Sequence, residues 1–188
     1  MKVGCFYSVE EIAAPARPLP NFTALPFGLA HIATALQQAG HQPVPLVVTP
    51  RTDLHRVLPD FFARYRPRLI CLTAVTSQYH VVCRMAAIVK RIDASCPVVI
   101  GGVHASLNPE MVPRRPYFDA ICGGEGEEGI AQLAGQLQEG RLPARIAGFW
   151  LAREGGWEVN APAPFRSCRE KSPRVDRRLW EGWIRRTN

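Results

Sequence analysis

Residues able to do chemistry are concentrated between Pro97 and Gly129, in the string PVVIGGVHASLNPEMVPRRPYFDAICGGEGEEG. Two apolar runs, Val98-Val99-Ile100 and Phe118 to Cys122, each stop at a glycine pair, Gly101-Gly102 and Gly123-Gly124. A β-rich run ending in Gly-Gly reads as a buried parallel strand that stops where backbone must approach something closely. Two such ends about twenty residues apart describe neighbouring strands whose carboxyl ends line one crevice. In open α/β sheets that edge is where ligands bind. Val103 and His104 follow the first end; Glu125, Gly126 and Glu127 follow the second; Thr76 and Ser77 stand at the matching end of the preceding strand. Together they offer hydrogen-bond acceptors among small residues, which suits a ligand carrying donors such as amides or hydroxyls, or a cation.

Each of these signals also has a plainer account. Carboxylates in the first turn of a helix are stabilised by the macrodipole, typically by about 0.3–1 kcal/mol each, so capping alone explains the Glu-rich loop as well as a ligand does. His104 is either a polar loop residue bonded to nearby backbone or a contact to a ligand in the crevice, where it can donate or accept. The hydroxyls of Thr76 and Ser77 cap the next helix or serve the ligand. Gly124-x-Gly126-x-x-Gly129 matches the dinucleotide fingerprint in form only: it follows the fifth strand instead of the first. Its Glu125, Glu127 and Glu128 would repel a pyrophosphate. No nucleophile–base–acid set, Walker lysine or HExxH is present, so no catalytic residue is assigned.

The elements that must position these residues follow from periodicity. Lys2 to Phe6 is a strand, residues 7–25 a long Pro/Ala-rich loop, and Pro26 opens a helix bearing Phe27, Leu29, Ala30, Ile32, Ala33 and Leu36, closed by Gly40. His31 falls near the apolar face of this helix and reads as a satisfied structural histidine. The strand from His41 to Val48 contains Pro43 and Pro45, which only a sheet edge tolerates. Thr52 or Asp53 caps a second helix that Pro67 ends; strands follow at 68–73, 97–100 and 118–122, with helices at about 78–94 and after the Glu-rich loop. A short helical turn is expected near Pro109 to Pro113. The order βαβαβαβ-(short α)-βα predicts an α/β, doubly wound, flavodoxin/Rossmann-like parallel five-stranded sheet. Residues 146–160, folding around Gly155-Gly156, read as a C-terminal β-hairpin extending a domain of residues 1–145.

Composition narrows the class. The chain has 188 residues, 47% of them hydrophobic and 21% charged, which suits one globular domain with a tail. No apolar stretch reaches the roughly 20 residues of a membrane span and no signal-peptide h-region is seen, so a cytoplasmic location without membrane contact is expected. Residues 161–188 hold eight Arg/Lys against three Asp/Glu, a net +5 of the chain's +7. The basic character therefore belongs to a Pro/Arg-rich tail or linker, and nucleic acid is not an expected partner except through it. Residues 161–175 are expected to be poorly ordered, and Arg177 to Ile184 to form a brief helix. The six cysteines are too scattered for a local zinc or iron–sulfur ligand set; Cys5, Cys71 and Cys122 read as small buried hydrophobes, and no disulfide framework is expected.

Taken together, Leu25-Pro26-Phe27-Gly28-Leu29-Ala30, Leu72-Thr73 with Thr76-Ser77, Gly101-Gly102-Val103-His104-Ala105 with Pro109-Glu110, and Phe118-Asp119-Ala120 with Gly124-Glu125-Gly126-Glu127 resemble the N-terminal cobalamin (B12)-binding domain of B12-dependent radical SAM enzymes. The resemblance covers roughly residues 1–160. It implies a corrinoid lying across the carboxyl ends of the strands, its nucleotide tail tucked beside the sheet, usually with no protein histidine on cobalt. Asp53-x-His55 resembles only the start of a DxHxxG axial-ligand motif, with Leu58 where glycine is required, and a helix cap with an exposed histidine is the better account. No metal ligand is therefore assigned. The implied contacts are Thr76, Ser77, Gly101, Gly102, Val103, His104, Gly123, Gly124, Glu125, Gly126 and Glu127, the acceptors facing the amide fringe of the corrin.

In that family S-adenosylmethionine and a [4Fe-4S] cluster belong to a barrel whose CxxxCxxC does not occur here. The resemblance thus implies a cobalamin-binding module that is not catalytic alone, whether truncated or free-standing. Methyl transfer or related radical chemistry would need an intact enzyme or a separate radical SAM subunit. The alternative is a flavodoxin- or receiver-like domain that binds a nucleotide or protein partner without B12. Against it, the third strand ends in Ala74-Val75-Thr76 with no phosphoacceptor aspartate, and Tyr7 to Glu11 offers little to cradle a phosphate.

Overall fold

Strand alternation decides which face each core residue takes. Ile70, Leu72, Val98, Ile100 and Ile121 enter one hydrophobic cluster, whereas Cys71, Val99, Ala120 and Cys122 enter another on the opposite face. Strands buried on both faces need helices on both, as parallel sheets do. The computed structural model describes residues 1–9, 26–164 and 174–182. Its parallel strands are β1 (Lys2–Ser8), β2 (Gln42–Val48), β3 (Ile70–Thr73), β4 (Val98–Gly101) and β5 (Ala120–Cys122). Helices α1 (Phe27–Gln38) and α5 (Glu127–Gln138) cover the face bearing Cys71; α2 (Leu54–Tyr65) and α3 (Tyr79–Ile92) cover the other, and α4 (Val103–Leu107) follows β4. Phe6 and Phe61 meet edge to face with centroids 4.9 Å apart, a geometry worth about 0.5–1.5 kcal/mol beyond burial.

The strand order β2-β1-β3-β4-β5 reverses direction between β1 and β3, the topological switch point of a flavodoxin-like sheet. Strand β2 lies at the edge, as its prolines require. The Gln42 N–H donates to the Met1 carbonyl, so by alternation the nitrogens of Pro43 and Pro45 face outward, where no ladder bond is lost. Helix α1 closes as its sequence predicts: Gly40 takes φ +81°, the Gly40 N–H donates to the Gln37 carbonyl and the His41 N–H to that of Leu36. The Asp53 carboxylate caps α2 by accepting from the His55 N–H at 3.0 Å, and His55 is exposed.

The remaining elements depart from expectation for identifiable reasons. The hairpin, β6 (Phe149–Arg153) and β7 (Gly156–Val159), pairs antiparallel with β5 and lengthens the five parallel strands into a seven-stranded sheet. Strand β5 starts two residues later than position 118, because the Asp119 carboxylate accepts the Val98 N–H at 2.7 Å in place of a backbone carbonyl; Lys90 pairs with the same oxygen at 2.6 Å. Helix α4 forms where a loop is expected, being too short to show a periodic pattern. The His31 Nδ1 is buried without a hydrogen-bond partner among the described residues, so that histidine is not satisfied. Most of the loop 7–25 and, of the tail, residues 165–173 and 183–188 lie outside the described residues. Within 174–182 a 3₁₀ turn at Arg177–Trp180 buries Trp180 to 1% exposure on the α1 face, and the Asp176 N–H donates to the Thr34 hydroxyl at 3.0 Å. Among the described residues no helix is long and apolar enough to cross a membrane.

Candidate functional site

At the carboxyl edge of the sheet, a cavity of about 220 Å³ opens between α1, α5 and the ends of β3, β4 and β5. Cys71, Val99 and Cys122 form its floor, Leu29 and Ile32 its α1 wall, and Ile130 with Phe149 its far side. Glycine makes the space. Gly28 lies in the first turn of α1 and a Cβ there would touch nothing within 4 Å, while a Cβ on the buried Gly126 would stand 2.6 Å from the Cys122 Sγ and 3.1 Å from the Ile32 Cδ1. Burial pushes the Cys122 thiol up to about 12 and the Cys71 thiol well above its ordinary range, so both stay neutral. Glu125, exposed, and Glu127, half-buried in the first turn of α5, bring acceptors to the edge of this space.

The glycine pair after β4 is divided in use. Gly101 ends the strand, and a Cβ there would make an ordinary 3.6 Å contact with the Cys122 Cβ. Gly102 has φ +89° and ψ −177°, a region open essentially to glycine alone. A Cβ there would meet the Thr73 Oγ1 at 2.5 Å and the Ala74 backbone at 2.8 and 2.9 Å. Close approach between the loops after β3 and β4 therefore demands glycine with or without a ligand.

On the α3 side the same edge is closed by the protein itself. His104 is 5% exposed, stacks on the Tyr79 ring with centroids 4.0 Å apart, and places its Nδ1 3.3 Å from the Thr76 hydroxyl. Its Nε2 is buried without a partner among the described residues, and desolvation lowers the imidazole pKa despite the opposing charge of Glu110. The buried Gln78 amide donates to the Ser8 carbonyl at 2.8 Å and accepts from the Val75 N–H at 3.3 Å, tying the ends of β1 and β3 together. A second concavity of about 440 Å³ lies toward the hairpin, sharing Gly124 and Glu125 with the first and bordered by Gly123, Ser106 and Trp150. The Gly124 N–H donates to the Ser106 hydroxyl at 3.0 Å and the Gly123 N–H to the Gly148 carbonyl at 2.9 Å.

Of the residues singled out by sequence, Gly101, Gly102, Gly124, Glu125, Gly126 and Glu127 thus converge on one cavity. Gly123 borders the second concavity, while Thr76, Ser77 and Val103 are exposed on neighbouring segments and His104 is buried beneath them. The B12-binding domain family model matches residues 20–134. The chain belongs to that family. An uncharacterised methyltransferase of Pyrococcus horikoshii is 29% identical over 144 residues, which cover 76% of this chain and 31% of that protein. An anaerobic magnesium-protoporphyrin IX monomethyl ester cyclase of Rubrivivax gelatinosus is 26% identical over 166 residues, 85% of this chain and 30% of that one. The chain therefore spans about a third of the length of these curated relatives. Among solved structures, the radical S-adenosylmethionine methyltransferase TsrM from Kitasatospora setae, with cobalamin and a [4Fe-4S] cluster bound, superposes with a TM-score of 0.72 at 23% identity over 92% of this chain and 30% of that one. The cobalamin-dependent S-adenosylmethionine radical enzyme OxsB, with aqua-cobalamin and S-adenosylmethionine bound, gives 0.74 at 16% identity over 99% and 25%. At these identities the likeness is one of fold.

Cobalamin is accordingly the cofactor of this B12-binding domain, and the donor set suits it. Neutral acceptors and carboxylates, with glycine backbone between them, match a macrocycle edged with amides, and the apolar cavity beside the sheet matches a ligand with an aromatic appendage. Among the described residues no cluster of His, Cys, Asp or Glu is arranged to hold a metal ion. What sequence reasoning missed is the α1 side of the cavity, namely Leu29 and Ile32 with the thiols of Cys71 and Cys122. These read as ordinary core residues, and the void beside them exists only because α1 packs next to α5. Gln78 was likewise missed, its bond to Ser8 spanning seventy positions.

Proposed function

We propose that the chain is the cobalamin-holding unit of a radical SAM system, with the corrin resting on the carboxyl edge of the sheet and the nucleotide tail entering the cavity between α1 and α5. The observation that carries this reading is the cavity itself, glycine-lined and opening at the carboxyl ends of β3, β4 and β5 in a domain whose family binds B12. The segments at the same end of the chain's elements also carry exposed apolar side chains that suit the face of a flat macrocycle: Phe27 at the start of α1, Val75 after β3, and Val103 and Leu107 on α4. Gly101, Gly124, Gly126, Glu125 and Glu127 contact the ligand directly, with Thr76, Ser77, Val103 and Gly123 on its periphery. Gly102 and His104 hold the loops that carry those contacts.

In this reading the domain supplies the cofactor and the chemistry needs a barrel with a three-cysteine cluster site, on the same polypeptide or a separate cytoplasmic subunit. The relatives, a methyltransferase and an ester cyclase, make methyl transfer or a related radical reaction the class supported for the assembled system. Hydroxocobalamin added to the purified protein should co-elute with it on gel filtration, read from visible absorbance. Failure to retain any corrinoid at tens of micromolar overturns the reading.

A further inference from the structure

The lining of the α1–α5 cavity has a chemical bias that reaches beyond cofactor identity. Its floor presents two thiols and a valine, its walls leucine, isoleucine and phenylalanine, and thiols are weak hydrogen-bonding groups. Three lining side chains have stronger polar atoms. Thr73 holds its hydroxyl beneath Gly102, while Glu125 is exposed and Glu127 half-buried, both at the amino end of α5. Glu127 stands near enough to raise the Cys122 thiol further, but the floor of Cys71, Val99 and Cys122 itself carries no strong side-chain donor or acceptor. At about 220 Å³ the space is also smaller than the roughly 300–1,000 Å³ of whole-ligand pockets, so it takes one ring system and not a corrin.

We propose that this cavity selects among corrinoids by their lower base, accepting benzimidazole- and phenol-type bases and discriminating against purines. The proposal rests on the reading that the nucleotide tail enters the cavity. A dimethylbenzimidazole or cresol ring meets the apolar lining with carbon edges. An adenine brings an amino donor and ring-nitrogen acceptors that would be desolvated without partners, and unpaired buried polar groups weaken binding. Neutral thiols offer it only weak partners, since burial holds Cys71 and Cys122 protonated.

The test titrates the full chain with four corrinoids and follows binding by equilibrium dialysis: hydroxocobalamin, its adeninyl analogue, its p-cresolyl analogue, and cobinamide, which lacks the nucleotide. Cobalamin and the cresolyl form should bind within about threefold of each other, the adeninyl form at least tenfold more weakly, and cobinamide more weakly than cobalamin. Equal affinity for the adeninyl form and cobalamin overturns the selectivity while leaving the cofactor reading standing. Cobinamide binding as tightly as cobalamin removes the tail from the cavity and overturns the proposal by another route. No binding of any of the four sinks the parent reading and this one with it. As a second handle, Cys122→Ser places a hydroxyl in the floor and should narrow the ratio between cobalamin and the adeninyl form by threefold or more, while Cys122→Ala should not. An unchanged ratio in the serine variant counts against the proposal, and the wild-type series decides it should that variant fail to fold.

Discussion

The two halves of the sheet's carboxyl edge are built from similar residue types and do opposite things. On the α1–α5 half, glycines and small thiols leave a void, and acceptors gather around it. On the α3–α4 half, His104, Tyr79, Thr76 and Gln78 bond or stack with one another and with β1, and no space is left for a ligand to reach the imidazole. A motif such as Gly101-Gly102-Val103-His104 straddles the boundary: both glycines line the cavity, the second also joins two loops, and the histidine is buried against Tyr79 and Thr76. Residue type alone does not distinguish a group that meets a ligand from one that holds the frame still for it.

Matched substitutions can break this contrast. The largest effect is expected from Gly102→Ala, which forces a side chain into φ +89° against the Ala74 backbone and should cost about 3 kcal/mol from strain and overpacking together. Thermal unfolding should show a midpoint lower by roughly 10 °C, whereas Gly101→Ala should stay near wild type. Equal tolerance of both would mean that the loops are not locked as described. Next in size, Gly28→Trp puts an indole at the α1 wall, where the Cβ meets nothing within 4 Å. It should weaken cobalamin binding at least a hundredfold by equilibrium dialysis while leaving the circular dichroism spectrum intact. Cobalamin bound normally by this variant would empty the α1–α5 half of its assigned role.

The smallest effect is a pH dependence on the locked half. Desolvation depresses the folded-state pKa of His104, so as pH falls from the ordinary histidine range the unfolded chain takes up the proton first. The associated stability is fully present at pH 7.5 and declines as pH drops through about 6.5 toward 5. Thermal midpoints across that window should fall more steeply for the wild type than for His104→Phe, which keeps a ring on Tyr79. His41, also depressed by burial, contributes a background of the same sign that both proteins share. Parallel slopes would show that His104 is not held neutral by its surroundings.

Much of the architecture was legible in the chain because it follows from local rules. The edge position of β2 is written in Pro43 and Pro45, the end of α1 in Gly40, the start of α2 in Asp53, and the paired strand ends in two Gly-Gly steps. Where the reading strayed, the cause was a non-local partner. Asp119 substitutes its carboxylate for a ladder carbonyl and shortens β5, the turn bearing Trp180 finds a buried seat beside β2, and β6 finds the free edge of β5. The candidate site was half legible. Its glycines and glutamates are marked by their position after strands, but Leu29, Ile32, Cys71 and Cys122 look like any core residues until α1 is seen beside α5.

The amino-acid sequence by itself determined the alternation of strands and helices and the carboxyl edge where the glycine pairs fall, since periodicity, glycine and proline act over a few residues; the match of residues 20–134 set its membership of the B12-binding domain family. Tertiary structure alone decided which part of that edge is hollow and which is sealed. The void and the seal both arise from contacts between segments tens of positions apart, and the volume left between packed helices is a property of their arrangement and not of any one stretch of chain.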